Sequence, residues 1–195
     1  MINVIILIDF KGHPILASEY VNSLRYSALQ QITENHNIDR EKCIILSIGN
    51  SGGDKKLNEI REIALLNKFK WLIIENPDTT VNDIEHLLMK KFNLIINKDN
   101  TRIILGGCNT SGCVLKTKNI SIKDFGLKKY ETLVPLQLCA EYECSGINDI
   151  EKNMKAFSRL FNYVQKNKFE TIVTVEDITQ IVKYIKKNNV MKEKI

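Results

Sequence analysis

Three side chains combine reactive or titratable chemistry with places where an α/β protein could use it: Cys113, Asp9 and Glu75. Cys113 lies in the run TRIILGGCNTSGCVLKT, residues 101–117. Residues 102–105 read as a buried strand, Gly106-Gly107 as a tight turn, and the residues around Cys113 as a helix start. Thr110 or Ser111 can cap that helix by accepting a bond from its free backbone N–H groups. A helix N-terminus carries partial positive charge, which favours a thiolate over a thiol. A strand, a sharp turn and a nucleophile at a helix start is a recurrent hydrolytic arrangement. The same pattern is also met by a free cysteine serving as a small buried hydrophobe. The local residues leave both readings open.

The elements that would position these side chains follow from hydrophobic patterning. Residues 3–8, 43–48, 71–74 and 102–105 are short apolar runs without alternation, as expected of strands covered on both faces. Residues 131–138 and 169–173 complete a set of six, with Pro135 predicting an irregular or edge-like end to the fifth. Helical spacing is read over 18–35, from Leu57 to Leu65, over 80–92, across the Cys113 segment, over 150–164 and over 175–187. The inner faces are assigned to Leu57, Ile60, Ala64 and Leu65 in the second of these helices, and to Ile84, Leu87 and Leu88 in the third. In the fifth they are Ile150, Met154, Phe157, Phe161 and Val164.

Strand and helix alternating with short links predict a mostly parallel sheet in a three-layer α/β/α sandwich. With strand order 3-2-1-4-5-6, ligands bind beyond the carboxyl ends of the strands, at the switch point between strands one and four. Asp9 ends the first strand, Glu75 ends the third, and Cys113 follows the fourth, so all three belong to one rim. A single domain over residues 1–195 is expected, with a frayed tail from 188.

Composition excludes several classes. The chain has 195 residues, 44% hydrophobic and 26% charged, which fits a globular protein with a real core. Its net charge of +5 is spread over scattered lysines, so a solvated surface is expected and a nucleic-acid groove is not. No apolar run reaches the roughly 18–20 residues of a membrane span. Five cysteines without a Cys-x-x-Cys pair or a Cys/His ladder argue against a zinc site and a disulfide scaffold, and fit a reducing cytoplasm. No cofactor is indicated. The GNSGGDKK run, residues 49–56, resembles a phosphate-cradling turn but lacks the full pattern, and a flexible turn is preferred. His13, His36 and His86 read as surface residues, Trp71 as core or rim packing, and Cys139 and Cys144 as packing residues.

Taken with Ile8-Asp9 at the end of the first strand, the run Gly107 to Val114 resembles the nucleophile motif of the isochorismatase-like cysteine hydrolases. That motif is glycine, two residues, threonine, two residues, Cys-Val; here the glycine is Gly107, the threonine Thr110, and Cys113-Val114 follow, with a later threonine at Thr117. The closing helix, strand and Thr174-Val175-Glu176 start are also similar to that superfamily. The resemblance implies a hydrolase for a small amide, carbamoyl or related substrate. It implies Cys113 as nucleophile and Asp9 as general base. It implies an oxyanion and substrate site at Asn109, Thr110 and Gly112, with the Asn109 and Cys113 N–H groups as donors. It also implies a homo-oligomer, since the family often dimerises.

Two departures accompany the resemblance. Glu75 stands where the family has a lysine that pairs with the aspartate and the cysteine. An acid in that place repels Asp9 and removes the thiolate's cationic partner. Lys11, Lys55 and Lys56 are cations on nearby loops, none at the motif position. Residues 49–55 contain no histidine, so the metal site of nicotinamidases is not expected. The alternative to an active hydrolase is a binding or assembly protein on the same fold.

Overall fold

The computed structural model describes residues 1–8, 38–48, 61–62, 64–65, 68–76, 78–108, 114–115, 120–135, 138–140, 150–169 and 171–174. Side chains at 108, 140, 150–157 and 171–174 are outside the description. The strands are β1 (Ile2–Ile8), β2 (Cys43–Ile48), β3 (Lys70–Ile74), β4 (Thr101–Cys108), β5 (Glu131–Pro135), β6 (Cys139–Ala140) and β7 (Thr171–Thr174). The helices are α1 (Val81–Phe92), α2 (Ile122–Leu127) and α3 (Ile150–Asn167). The predicted helices over 18–35 and 175–187, and Leu57 and Ile60 of the second, lie outside the described residues.

Six strands run in the order β3-β2-β1-β4-β5-β7, and β6 pairs with β4 off this path. Every ladder is parallel. This is the expected order, with one short strand added. The central strands have no polar face because both sides are covered: Val4 to Leu7 and Ile44 to Leu46 are at most 1% exposed. Val4, Ile6 and Ile8 pack on one side with Ile84 and Leu88 of α1, Phe125 of α2, and Leu160 and Val164 of α3. Ile5 and Leu7 pack on the other with Cys43, Ala64, Phe69 and Leu138. The helix α1 begins in a reciprocal cap: Thr80 Oγ1 accepts from the Asp83 N–H at 3.1 Å, and Asp83 accepts from the Thr80 N–H at 2.8 Å. Trp71 is half-buried, with the Arg61 guanidinium 5.6 Å above its ring.

Four expectations are corrected. Gly106 and Gly107 are not a turn; both remain inside β4. Leu65, assigned to an inner face, is 57% exposed, and Phe161 of α3 is 50% exposed, its neighbour Leu160 taking the buried position. The fifth predicted strand is two: β5 ends at Pro135, and β6 resumes at Cys139. Pro135 does not mark an edge, because β5 lies between β4 and β7. β5 leaves β4 after Leu133, runs on beside β7, and ends at Pro135, which pairs with Thr174, so the irregular end is found but on an interior strand. The helix α2 was not foreseen; its signal is the Ser121-x-x-Asp124 spacing ahead of Phe125, and the Ser121 hydroxyl donates to Asp124 at 2.6 Å.

Candidate active site

The carboxyl ends of the strands form one register row. Ile74 of β3 pairs with Ile48 of β2, Ile48 with Ile8 of β1, Ile8 with Gly107 of β4, and Gly107 with Cys139 of β6. The residues that follow this row in the chain are Glu75, Gly49, Asp9, Cys108 and Ala140. Of the candidate residues, Glu75 is described and is exposed. Asp9, Asn109, Thr110, Gly112 and Cys113 lie outside the described residues. So does the GNSGGDKK run.

The described neighbours of those residues bound the site. Order reverses between β1 and β4, which makes their carboxyl ends the switch point of the sheet. Neighbouring strands are about 4.8 Å apart, so the ends of β1 and β4 are in direct contact and those of β1 and β3 are about 10 Å apart. Val114, the residue after Cys113, is fully buried in the cluster that also holds Ile8, Ile48 and Ile74. Val114 and Leu115 carry helical backbone; the rest of the predicted Cys113 helix lies outside the described residues.

Gly107 has a physical reason to be glycine. Its φ is +139°, a region L side chains rarely adopt, and an added Cβ would collide with the Ile8 carbonyl oxygen. Gly106 is crowded from the opposite direction: a Cβ there would lie 2.6 Å from Leu138 Cβ and 2.8 Å from its carbonyl oxygen. The two glycines therefore let β1 and residues 138–139 close on β4 just before it leaves the sheet. Sequence reasoning found these glycines but mistook close approach for a turn, because both demand the same residue.

The remaining described groups near the sheet are structural. Cys43 is buried, and burial pushes its thiol up to about 12, so it stays protonated and inert. Cys139 is buried as well. At the other end of the sheet Arg102 pairs with Glu131 across β4 and β5 at 2.8 Å. Glu85 of α1 accepts from Lys128 at 2.7 Å and from the Tyr130 hydroxyl at 2.8 Å. Burial, and then this bond to Glu85, hold the Tyr130 phenol protonated well above its usual range. Among the described residues, no three His, Cys, Asp or Glu side chains gather as metal ligands, and no helix is long and apolar enough to cross a membrane.

No protein-family model and no curated protein matches the chain. Among solved structures it is similar to a nicotinamidase from Staphylococcus aureus. The TM-score is 0.53 at 15% identity, over 89% of this chain and 100% of that one. At this identity the likeness is one of fold. The chain has a mostly parallel α/β sheet with flanking helices, matching the isochorismatase-like fold.

Proposed function

We propose that the chain is an isochorismatase-like hydrolase that cleaves a small amide, carbamoyl or related substrate through Cys113, with Asp9 as general base. The carrying observation is the register of Ile8 against Gly107 at the switch point, which ends β1 and β4 side by side. Asp9 follows one of these ends directly, and the segment leading to Cys113 follows the other. Two residues of the resembling motif have demanding surroundings: Gly107 at a position closed to any side chain, and Val114 in the core.

In this reading the Cys113 thiol gives its proton to Asp9, and the sulfur bonds to the substrate's carbonyl carbon. The N–H groups of Asn109 and Cys113 hold the oxyanion, with Thr110 and Gly112 lining the same side. The C–N bond breaks as Asp9 returns the proton to the leaving amine. Water, deprotonated by Asp9, then cleaves the thioester, releasing the acid and the free thiol. The nicotinamidase neighbour's substrate is not carried over, since residues 49–55 hold no histidine for a metal site. The partner is a small molecule rather than a nucleic acid or membrane.

Glu75 supports a second reading, a binding protein whose chemistry is lost. Two unit charges about 10 Å apart interact by only about 0.4 kcal/mol in water. Glu75 is exposed at the end of β3, two strands from the end of β1, so an acid held at that spacing in this reading feels a repulsion of only this order. The larger change is that the lysine of the resembling family is replaced at this position by an acid.

The two readings separate in one experiment. Each cysteine of the native chain is alkylated with iodoacetamide at neutral pH and followed by peptide mass spectrometry, alongside an amide and carbamoyl substrate panel. The hydrolase reading expects Cys113 to react far faster than the other four, and turnover to vanish in Cys113→Ala and Asp9→Asn. A Cys113 no more reactive than an ordinary exposed thiol, with no turnover, would overturn the hydrolase reading.

A further inference from the structure

Resting on the hydrolase reading, we infer that β6 and the glycine pair opposite it form a clamp that fixes the point from which the chain runs on to Cys113. The first part of β4 pairs with β5, from Arg102 against Glu131 to Ile104 against Leu133. There the strands part. β5 continues beside β7 to Pro135, which pairs with Thr174, while Gly107 and Cys108 take new partners in Cys139 and Ala140.

β6 has two residues, and among the described residues its one ladder is with β4. The sheet thus spends a strand break and a return on holding the last two residues of β4. On the other side Gly107 is held by Ile8. Leu138, fully buried, anchors the returning segment in the second core cluster and seats against Gly106, where no Cβ fits. The end of β4 is therefore fixed from both edges, whereas an ordinary carboxyl end beside a proline break would keep one edge free and fray. A nucleophile five residues beyond Cys108 needs its starting point fixed, because misplacement by about 1 Å costs on the order of 100-fold in rate. This makes Gly106, Leu138 and β6 positioning elements, acting through the end of β4 and not on substrate.

The clamp is tested first without reference to chemistry. In the wild-type chain, the backbone amides of Gly107 and Cys108, and whichever of the Cys139 and Ala140 amides faces β4, should exchange with deuterium as slowly as those of the β1–β4 ladder. Exchange at the rate of an open chain would overturn the clamp whatever the protein does. Its purpose is tested by the pH profile of Cys113 alkylation in Gly106→Ala, which pushes Leu138 away, and in Ala140→Pro, which disturbs only the end of β6. Ala140→Pro carries the test if Gly106→Ala does not fold. Both are expected to shift the alkylation midpoint upward and slow Cys113 by about tenfold or more at neutral pH, with Cys43 still protected. A wild-type profile in folded variants would overturn the positioning role while leaving the hydrolase reading intact. A wild-type Cys113 no faster than the other cysteines would instead overturn the hydrolase reading, and the positioning role with it.

Discussion

Replacing Gly107 by alanine tests whether β1 and β4 meet as closely as the switch point requires. Two costs add. A non-glycine residue held at a φ of +139° stores about 1–3 kcal/mol of backbone strain. The new methyl meets the Ile8 carbonyl, a backbone atom in the middle of a sheet that cannot rotate aside, and overpacking of that kind costs about 1–3 kcal/mol more. The expected loss is about 4 kcal/mol, a large share of the roughly 5–15 kcal/mol that holds a domain together. For a chain of 195 residues this corresponds to a Tm lower by about 8–16 °C. Urea unfolding of wild type and variant by circular dichroism reads it directly. Gly126→Ala is the control. Its methyl also lies close to a neighbour, 2.6 Å from Cδ1 and 2.7 Å from Cγ of Phe169, so that side chain must shift, but no backbone atom is met and no positive φ is involved. Alanine also gains about 1 kcal/mol over glycine in a helix, which offsets part of that shift, so this variant should cost clearly less than Gly107→Ala. If Gly107→Ala stays within about 1 kcal/mol of wild type, or Gly126→Ala is the more damaging, the close approach of β1 and β4 is wrong.

Three further outcomes follow from the same structure. Burial keeps the Cys43 thiol neutral to about pH 12 in the folded chain, while an unfolded chain releases its proton near 9, so the unfolded state binds fewer protons between these values and stability falls as pH rises through that window. Denaturation at stepped alkaline pH should show Cys43→Ala with a shallower decline than wild type; parallel slopes would contradict the burial of that thiol. Glu85→Gln should lower the titration midpoint of Tyr130, followed by phenolate absorbance, and cost about 1–2 kcal/mol through the weakened Lys128 and Tyr130 bonds; an unmoved midpoint would show that Glu85 does not reach the phenol. Thr80→Ala removes the acceptor for the Asp83 N–H and should cost about 1 kcal/mol in thermal unfolding, with no effect marking the cap as dispensable.

How much of this protein is written locally can be seen strand by strand. The bounds of β2 are those of its apolar run, and β1 and β3 each begin one residue before theirs, because a strand covered on both faces must be apolar throughout. The helix α1 was equally legible, since Thr80 and Asp83 satisfy its first N–H groups from within the same few residues. Such alternation pointed to the mostly parallel sheet, and the order taken with it, 3-2-1-4-5-6, put the expected chemistry where β1 meets β4.

What the linear chain left undecided is whatever depends on a neighbour distant in sequence. Glycine is demanded equally by a turn and by a backbone pressed against another, so Gly106-Gly107 could be assigned to β4 only once Ile8 and Leu138 were beside it. Helical spacing admits several faces, and packing alone buried Leu160 while exposing Leu65 and Phe161. A proline inside an apolar run signals a break but not its direction; only the competing pairs with β4 and β7 show one run dividing into β5 and β6. Residue type and local spacing are properties of a few consecutive residues, whereas register and close approach are properties of pairs, and a pair exists only after folding.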